Sequence, residues 1–244
     1  MDILVNRKKF KKFSVAVNDF SVNYELSEKS GILKTVDLYD LINKNETTGN
    51  VLIENWDYKQ GNVTLYELYT LCSLANFLKP ATVFEIGTFD GNTTLHLALN
   101  TPEYTIINTL DIPQDELEKT TLKLDSGDAQ LIDKKGFRIG QRFLNKEASN
   151  KIIQHLSDSA RFDYSGFTNK VDMFFVDGAH SYEYVEADTK NAFNTIKDNG
   201  IILWHDYSNI SDVADYLNEL SKSKTIYRIN NTSLAIYSPK LLPG

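Results

Sequence analysis

The stretch Thr82-Val83-Phe84-Glu85-Ile86-Gly87-Thr88-Phe89-Asp90-Gly91-Asn92-Thr93-Thr94 reads as a buried strand that breaks at a glycine, turns, and enters a helix. Thr82–Ile86 is a short apolar run bounded by turn residues, the signal of a strand covered on both faces. Gly87 permits the tight turn, and Gly91 lets the start of the following helix approach its neighbours closely. The unpaired N–H groups of such a helix start favour a carboxylate or a phosphate. The glycine spacing is G-x-x-x-G, with Phe89 where a dinucleotide fingerprint has its second glycine, so a pyrophosphate lying on this backbone is disfavoured.

Working outward, Leu65, Leu68, Leu71, Cys72, Leu74 and Ala75 recur at three- and four-residue steps and Pro80 follows, which predicts a helix from Thr64 to Leu78. Downstream, strands and helices alternate. Strands are expected at Tyr104–Leu110, Lys151–Leu156, Val171–Val176 and Ile201–Trp204, and helices at Asn92–Leu99, Tyr182–Lys197 and Ser211–Leu220. Thr225–Ile229 and Ser233–Tyr237 read as a closing pair around Asn230-Asn231. Such alternation predicts a parallel sheet with both faces covered by helices, and ligands bind such sheets at the carboxyl ends of the strands. The residues at those ends are Gly87, Asp111, Asp158, Asp177 and Asp206, all but the first acidic, and folding should gather them along one rim.

Composition narrows the function classes. The chain has 244 residues, long enough for one large domain or a domain with an appendage. With 26 Lys+Arg against 33 Asp+Glu the net charge is −7, which gives no general field for nucleic acid or an anionic membrane. The single cysteine, Cys72, excludes an intrachain disulfide framework and a cysteine-rich zinc site. The opening MDILVNRKKF has no apolar leader and no run approaches a membrane span, so a cytoplasmic location is expected. The first sixty residues differ in texture. They carry the basic run Arg7-Lys8-Lys9-Phe10-Lys11-Lys12 and the aromatic residues Phe13, Phe20, Tyr24, Tyr39 and Trp56. Residues 1–60 are expected to form an N-terminal cap or oligomerisation segment on a domain spanning 61–244, within a homo-oligomer.

The rim carries the chemistry. Asp111 ends the strand after Gly87, where a carboxylate can accept both hydroxyls of a ribose. Asp177 and Asp206 end strands one strand–helix–strand unit apart. Two carboxylates so placed repel unless they share a cation or a proton, so a divalent metal is a natural resident. His180, three residues after Asp177, has an ordinary pKa suited to moving a proton near neutrality. His205 and Asp206 are neighbours, and a continuing strand would send them to opposite faces unless it ends between them.

From about Pro80 to Tyr207 the chain resembles class I S-adenosylmethionine-dependent methyltransferases, and within them the bacterial group that includes macrolide-sugar and aminocoumarin-sugar O-methyltransferases. The resemblance is carried by EIGTFDGNTT at 85–94, LDI at 110–112, SDSARFDYS at 157–165, FVDGAHSYEYVEAD at 175–188 and DNGIILWHDY at 198–207. It implies that Glu85, Gly87, Thr88, Asp90 and Gly91 surround the methionine part of S-adenosylmethionine, that Asp111 holds its ribose, and that Asp158 and Ser159 lie beside the adenine. It implies that Asp177 and Asp206, with His205, hold Mg²⁺ or a similar ion. Three positions depart from the group. Ser157 stands where glycine is common. Asn199 replaces the first of a glycine pair, although Asn tolerates a left-handed turn. His205 stands where an acid is usual, and an imidazole favours a transition metal over Mg²⁺.

The expected fold is therefore α/β: a Rossmann-like doubly wound, mostly parallel seven-stranded sheet with an antiparallel closing strand, plus an N-terminal appendage. The expected activity is metal-assisted O-methylation of a small hydroxylated acceptor, a sugar diol or a catechol, with Asp177 and His180 catalytic. Three alternatives stay open at this point: a metal-independent methyltransferase, a nicotinamide-dependent oxidoreductase, which Phe89 disfavours, and a non-catalytic Rossmann-like binding module.

Overall fold

The computed structural model describes residues 3–5, 32–42, 50–57, 61–124, 127–128 and 138–242. The basic run 7–12 and the aromatic residues Phe13, Phe20 and Tyr24 lie outside them. Ten strands are assigned among the described residues: β1 (Ile3–Val5), β2 (Lys34–Val36), β3 (Val51–Ile53), β4 (Thr82–Ile86), β5 (Ile106–Asp111), β6 (Ile152–Leu156), β7 (Val171–Val176), β8 (Ile196–Trp204), β9 (Ile226–Ile229) and β10 (Ala235–Tyr237). The longer helices are α1 (Leu65–Leu78), α2 (Asn92–Leu99), α3 (Tyr182–Thr195) and α4 (Ser211–Leu220). Among the described residues no helix is long and apolar enough to cross a membrane.

The main sheet has the order β2-β9-β10-β8-β7-β4-β5-β6, and β10 alone runs antiparallel to its neighbours. The mostly parallel sheet with an antiparallel closing strand is as expected, but it has eight strands rather than seven. The eighth is β2, which pairs in parallel with β9 through Lys34↔Tyr227, Thr35↔Arg228 and Val36↔Ile229. Three residues are too few to show a period, so nothing in the sequence marks them as a strand. A second two-stranded sheet pairs β1 with β3, and β3 docks on α2: the Leu52 N–H donates to Asn100 Oδ1 (2.7 Å), and Asn100 Nδ2 donates back to the Leu52 carbonyl (2.8 Å).

Successive residues of β7 point to opposite faces. Met173 and Phe175 join the layer of Leu68, Leu71 and Leu74 from α1, while Phe174 and Val176 pack with Val185 of α3 and Val213 and Leu217 of α4. Phe174 is fully buried and stacks on Phe84 at 5.0 Å between ring centroids. Phe174→Ala is expected to destabilise the fold by about 3–5 kcal/mol, through lost transfer energy plus a residual cavity. Urea unfolding measures this; a loss under about 1 kcal/mol would mean the layer is not close-packed there.

Several element ends differ from the sequence reading, most by a residue or two, and two of the differences have visible causes. The strand expected at Tyr104 begins at Ile106, because Thr105 Oγ1 donates to the Pro80 carbonyl (2.6 Å) and Tyr104 lies out in solvent. The helix expected to reach Lys197 ends at Thr195, and β8 begins at Ile196, where a register shift between Val171 and Met173 admits the extra residues. Asn199 thus lies inside β8 and is not among the positive-φ residues.

α1 starts on a capping box: Glu67 N–H donates to Thr64 Oγ1, and Glu67 Oε2 accepts the Thr64 N–H (2.9 Å). It stops where Lys79 takes a left-handed conformation before Pro80.

Candidate active site

The strand order reverses at β4, whose neighbours are β5 on one side and β7 on the other, and a doubly wound sheet binds its ligand outside such a switch point. Three hydrogen bonds level the strand ends there: Gly87 N–H to the Leu110 carbonyl (2.8 Å), Asp177 N–H to the Ile86 carbonyl (2.9 Å) and His205 N–H to the Val176 carbonyl (3.1 Å). Gly87 has φ +100°, and a Cβ on it would stand 1.9 Å from the Asp177 carbonyl oxygen. Only glycine lets these two strand ends meet.

Beyond these ends opens a cavity of about 380 Å³. Its wall includes Gly87, Asp111, Asp158 and Ser159 toward β5 and β6, and Glu67, Asp177, His180, His205 and Asp206 toward β7 and β8. Asp111 is oriented by two backbone N–H groups: Phe89 donates to Oδ2 (2.7 Å) and Ile112 to Oδ1 (2.8 Å). Asp158 is buried and accepts from Thr121 N–H, Ala160 N–H and the Tyr184 hydroxyl.

Glu85, Thr88, Asp90 and Gly91 do not line this cavity; they build the turn beneath it. Thr88 Oγ1 pairs with Thr109 Oγ1 (2.6 Å). Asp90 is fully buried, accepts the Asn92 N–H at the start of α2 (3.1 Å), and is paired with Arg142 Nε (2.7 Å), so the anion at that helix start is the chain's own carboxylate. Arg142 also pairs with Asp57, tying the N-terminal segment to the turn. Glu85 Oε2 accepts from Thr94 and Thr109, while its Oε1 is buried without a partner.

Burial raises the Glu85 pKa to about 8, against the Thr109 and Thr94 hydrogen bonds that oppose it. Asp188 of α3 is fully buried and is raised to about 7, chiefly by burial, with Ser159 opposing and Asp158 adding. Burial thus keeps each carboxyl protonated to a higher pH in the folded protein than in the unfolded chain. Their stabilisation is full below the ordinary carboxylate pKa of 4.5 or 3.8 and is lost as pH rises through about 8 and about 7. Thermal stability is therefore expected to fall between pH 5 and about 9, and the isosteric Glu85→Gln is expected to flatten part of that fall. A melting profile with the same pH slope in the variant would contradict the assignment.

On the other side of the cavity, one nitrogen or oxygen from each of Asp177, His180 and Asp206 lies within 4.8 Å of the others. β8 ends at Trp204 and Asp206 takes φ +60°, so the chain turns between neighbours and both His205 and Asp206 reach the cluster. His205 Nδ1 is 2.9 Å from Asp177 Oδ1 and 3.1 Å from Asp206 Oδ2; its Nε2 is 3.3 Å from Glu67 Oε2. His180 Nε2 is 3.0 Å from Asp206 Oδ2, and its Nδ1 is 2.6 Å from Asp128 Oδ1. The result is an alternating chain of acids and imidazoles from Glu67 to Asp128.

Burial alone would strip charge from these groups, but their neighbours outweigh it. His180 is raised to about 10, burial being overcome by its hydrogen bond to Asp128 and by the nearby Asp206 and Asp128 carboxylates. His205 is raised well above its ordinary value by Asp206, Asp177 and Glu67, although its largely buried position opposes the charge. Asp206 is held well below the carboxylate range and Glu67 falls to about 2, each against burial and chiefly through the charge of His205. Asp177 moves up, because burial exceeds the help of His205.

Two residues of this cluster escape the sequence reading. Glu67 sits on α1, and Thr64-x-x-Glu67 is legible as a capping box but gives no sign that the same carboxylate also accepts from the Ser233 N–H and hydroxyl (2.8 and 2.7 Å) and reaches His205. Asp128 lies in a stretch without periodicity.

A doubly wound sheet in this order, with a glycine turn at the switch point and acids at the strand ends, is a Rossmann-like fold with its ligand site at that switch point. A family model described as "Methyltransferase domain" matches residues 84–207, from β4 to just beyond β8 and just over half of the chain, and the chain belongs to that family. Family membership removes the oxidoreductase reading. Among solved structures the chain is similar to the O-methyltransferase TomG of Streptomyces achromogenes, solved with SAM, at 14% identity and TM-score 0.53 over 92% of this chain and 96% of that one. It is also similar to an SAH-bound methyltransferase of Podospora anserina (12% identity, TM-score 0.54, 97% of each chain) and to the O-methyltransferase NovP (11%, 0.53, 70% of this chain and 78% of that one). At these identities the likeness is one of fold. A comparison with curated proteins finds no match.

Proposed function

We propose that this methyltransferase uses S-adenosylmethionine to methylate a hydroxyl of a small acceptor, a sugar diol or a catechol, with a divalent cation at Asp177 and Asp206. The observation that carries the reading is the sharing of one cavity by Asp111 and Asp158 at one end and the Asp177–His180–Asp206 cluster at the other.

The residues suit the donor. Asp111 is fixed by two N–H groups where a ribose would present its hydroxyls, Asp158 and Ser159 flank the adenine side, and Gly87 leaves room at the turn. Glu85, Thr88, Asp90 and Gly91 support that turn from below. The bound donor supplies a methyl group already activated on sulfonium; the chain has to orient an acceptor oxygen in line with it.

The cluster also suits a cation. The Asp177 and Asp206 carboxylates converge within 4.8 Å beside His180, and like charges so placed favour a shared cation. When bound, a divalent cation lowers the pKa of a coordinated hydroxyl. Asp177 and Asp206 would hold it, with His205 behind them linking both to Glu67. His180 moves the acceptor proton at Nε2. With the Asp206 charge that faces His180 taken up by a cation held by Asp177 and Asp206, Asp128 stays as the acidic partner of Nδ1 and Nε2 faces the acceptor as the base.

A second reading keeps the donor and drops the cation. It is favoured by the raised pKa values of His180 and His205, whose protons offset the charge of the surrounding carboxylates. Transfer of labelled methyl from S-adenosylmethionine to vicinal diols and catechols, with and without chelator, tests both. Chelator-sensitive transfer is expected; chelator-insensitive transfer would select the second reading, and absence of transfer to every diol would overturn the acceptor class.

A further inference from the structure

Asp128 is almost wholly buried and stands 52 residues before His180, yet its carboxylate takes two different N–H groups of that one residue. Oδ2 accepts the His180 backbone N–H at 2.8 Å, and Oδ1 lies 2.6 Å from the ring Nδ1. A bond to the ring alone would leave the backbone of the 177–180 turn to move. A bond to the backbone alone would leave the ring to rotate. Held at both points, the imidazole has its position and its ring angle set together. The opposite ring atom, Nε2, is thereby turned toward Asp206.

We infer that Asp128 is the positioning residue of this site, fixing His180 with Nδ1 as the donor to the carboxylate and Nε2 as the atom presented to the acceptor. A carboxylate on one ring nitrogen sets the tautomer and the direction of the other, and such partners govern the competence of the imidazole they orient. The segment that carries Asp128 is also tied at the far end of the cavity, where the Thr121 N–H donates to Asp158 Oδ2 at 2.9 Å. Thr121 and Asp128 thus make contacts at the adenine side and the His180 side of the cavity respectively.

The rival account is that Asp128 merely caps the start of α3, which opens at Tyr182. A cap affects stability and leaves the ring free. The two accounts part in the ¹⁵N NMR spectrum of the full-length protein labelled at histidine, recorded without ligand, on wild type, Asp128→Asn and Asp128→Ala. The inference predicts a protected, downfield Nδ1–H signal for His180 that disappears in Asp128→Ala and is displaced in Asp128→Asn, which keeps the volume but sets an NH₂ against one of the two N–H groups. The catalytic part of the inference rests on the methyltransfer reading above. It predicts a fall in kcat of about 10–100-fold in both variants, with the acceptor KM within about threefold. An absent Nδ1–H signal in wild type, its persistence in Asp128→Ala, or a lowered Tm with unchanged kcat would overturn the role assigned to Asp128. Failure of wild type to transfer methyl at all, with the Nδ1–H signal behaving as stated, would instead overturn the methyltransfer reading and leave the Asp128–His180 assignment standing.

Discussion

Asp206→Asn is expected to lower kcat for methyl transfer on the order of 10³-fold while the protein stays folded and keeps its methyl donor. The expectation of folding is local. Asp206 has φ +60°, and asparagine accepts that left-handed conformation at least as readily as aspartate does. The side chain's structural partner is also preserved in kind, since Asn209 Nδ2 donates to Asp206 Oδ1 at 2.8 Å and the amide oxygen can accept the same bond. What disappears is the negative charge on Oδ2, the atom that faces both His180 and His205. The proposed cation site then keeps one carboxylate, and both imidazoles lose an acidic partner. Asp111 and Asp158 lie at the other end of the cavity, so donor affinity should change by no more than about threefold, as expected for a group that contacts only the reacting end. A variant with near-normal kcat would remove Asp206 from the proposed mechanism.

Gly87→Ala is expected to abolish measurable donor binding and to destabilise the fold by several kcal/mol. The left-handed φ of +100° costs a residue with a side chain roughly 1–3 kcal/mol. The larger effect is steric, because the new methyl would stand 1.9 Å from the Asp177 carbonyl oxygen, which belongs to a neighbouring strand end and cannot rotate away. Relief requires β4 and β7 to part at the switch point, between Asp177 on one side of the cavity and Asp111 on the other. Gly166→Ala is the matched control, since nothing lies within 4 Å of its added methyl. Calorimetry and thermal melting on the two variants check this; a Gly87→Ala protein that binds the donor normally would show that the strand ends are not as close as described.

The fold was legible where hydrophobic pattern is long. β4, β7 and the buried part of β8 are apolar runs ended by glycine or acid, and α1 repeats at helical spacing, so the parallel layer and its rim can be written from the residues. β2 was not legible, because three residues carry no period and its pairing with β9 joins segments far apart in sequence. The acids at strand ends were visible for the same reason as the strands, and the structure brings Asp177 and Asp206 together with His180. Glu67 and Asp128 were not visible as site residues. Glu67 reads as a helix cap, which it is, and its second contact crosses 138 residues to His205. Asp128 is one polar residue in a stretch without pattern, and only the folded chain shows that its two oxygens meet one histidine. The division of labour within the glycine turn was hidden as well. Sequence order sets Glu85, Thr88 and Asp90 beside Gly87, but burial and the Arg142 pair put them beneath the cavity rather than in its wall.

The measurement that bears most directly on the central claim is calorimetric titration of the full-length protein with S-adenosylmethionine, first with Mg²⁺ and then with chelator. Saturable one-site binding in both conditions, weakened strongly by Asp111→Ala and little by Asp206→Asn, is the predicted result. A folded protein that shows no binding heat in either condition would contradict the account.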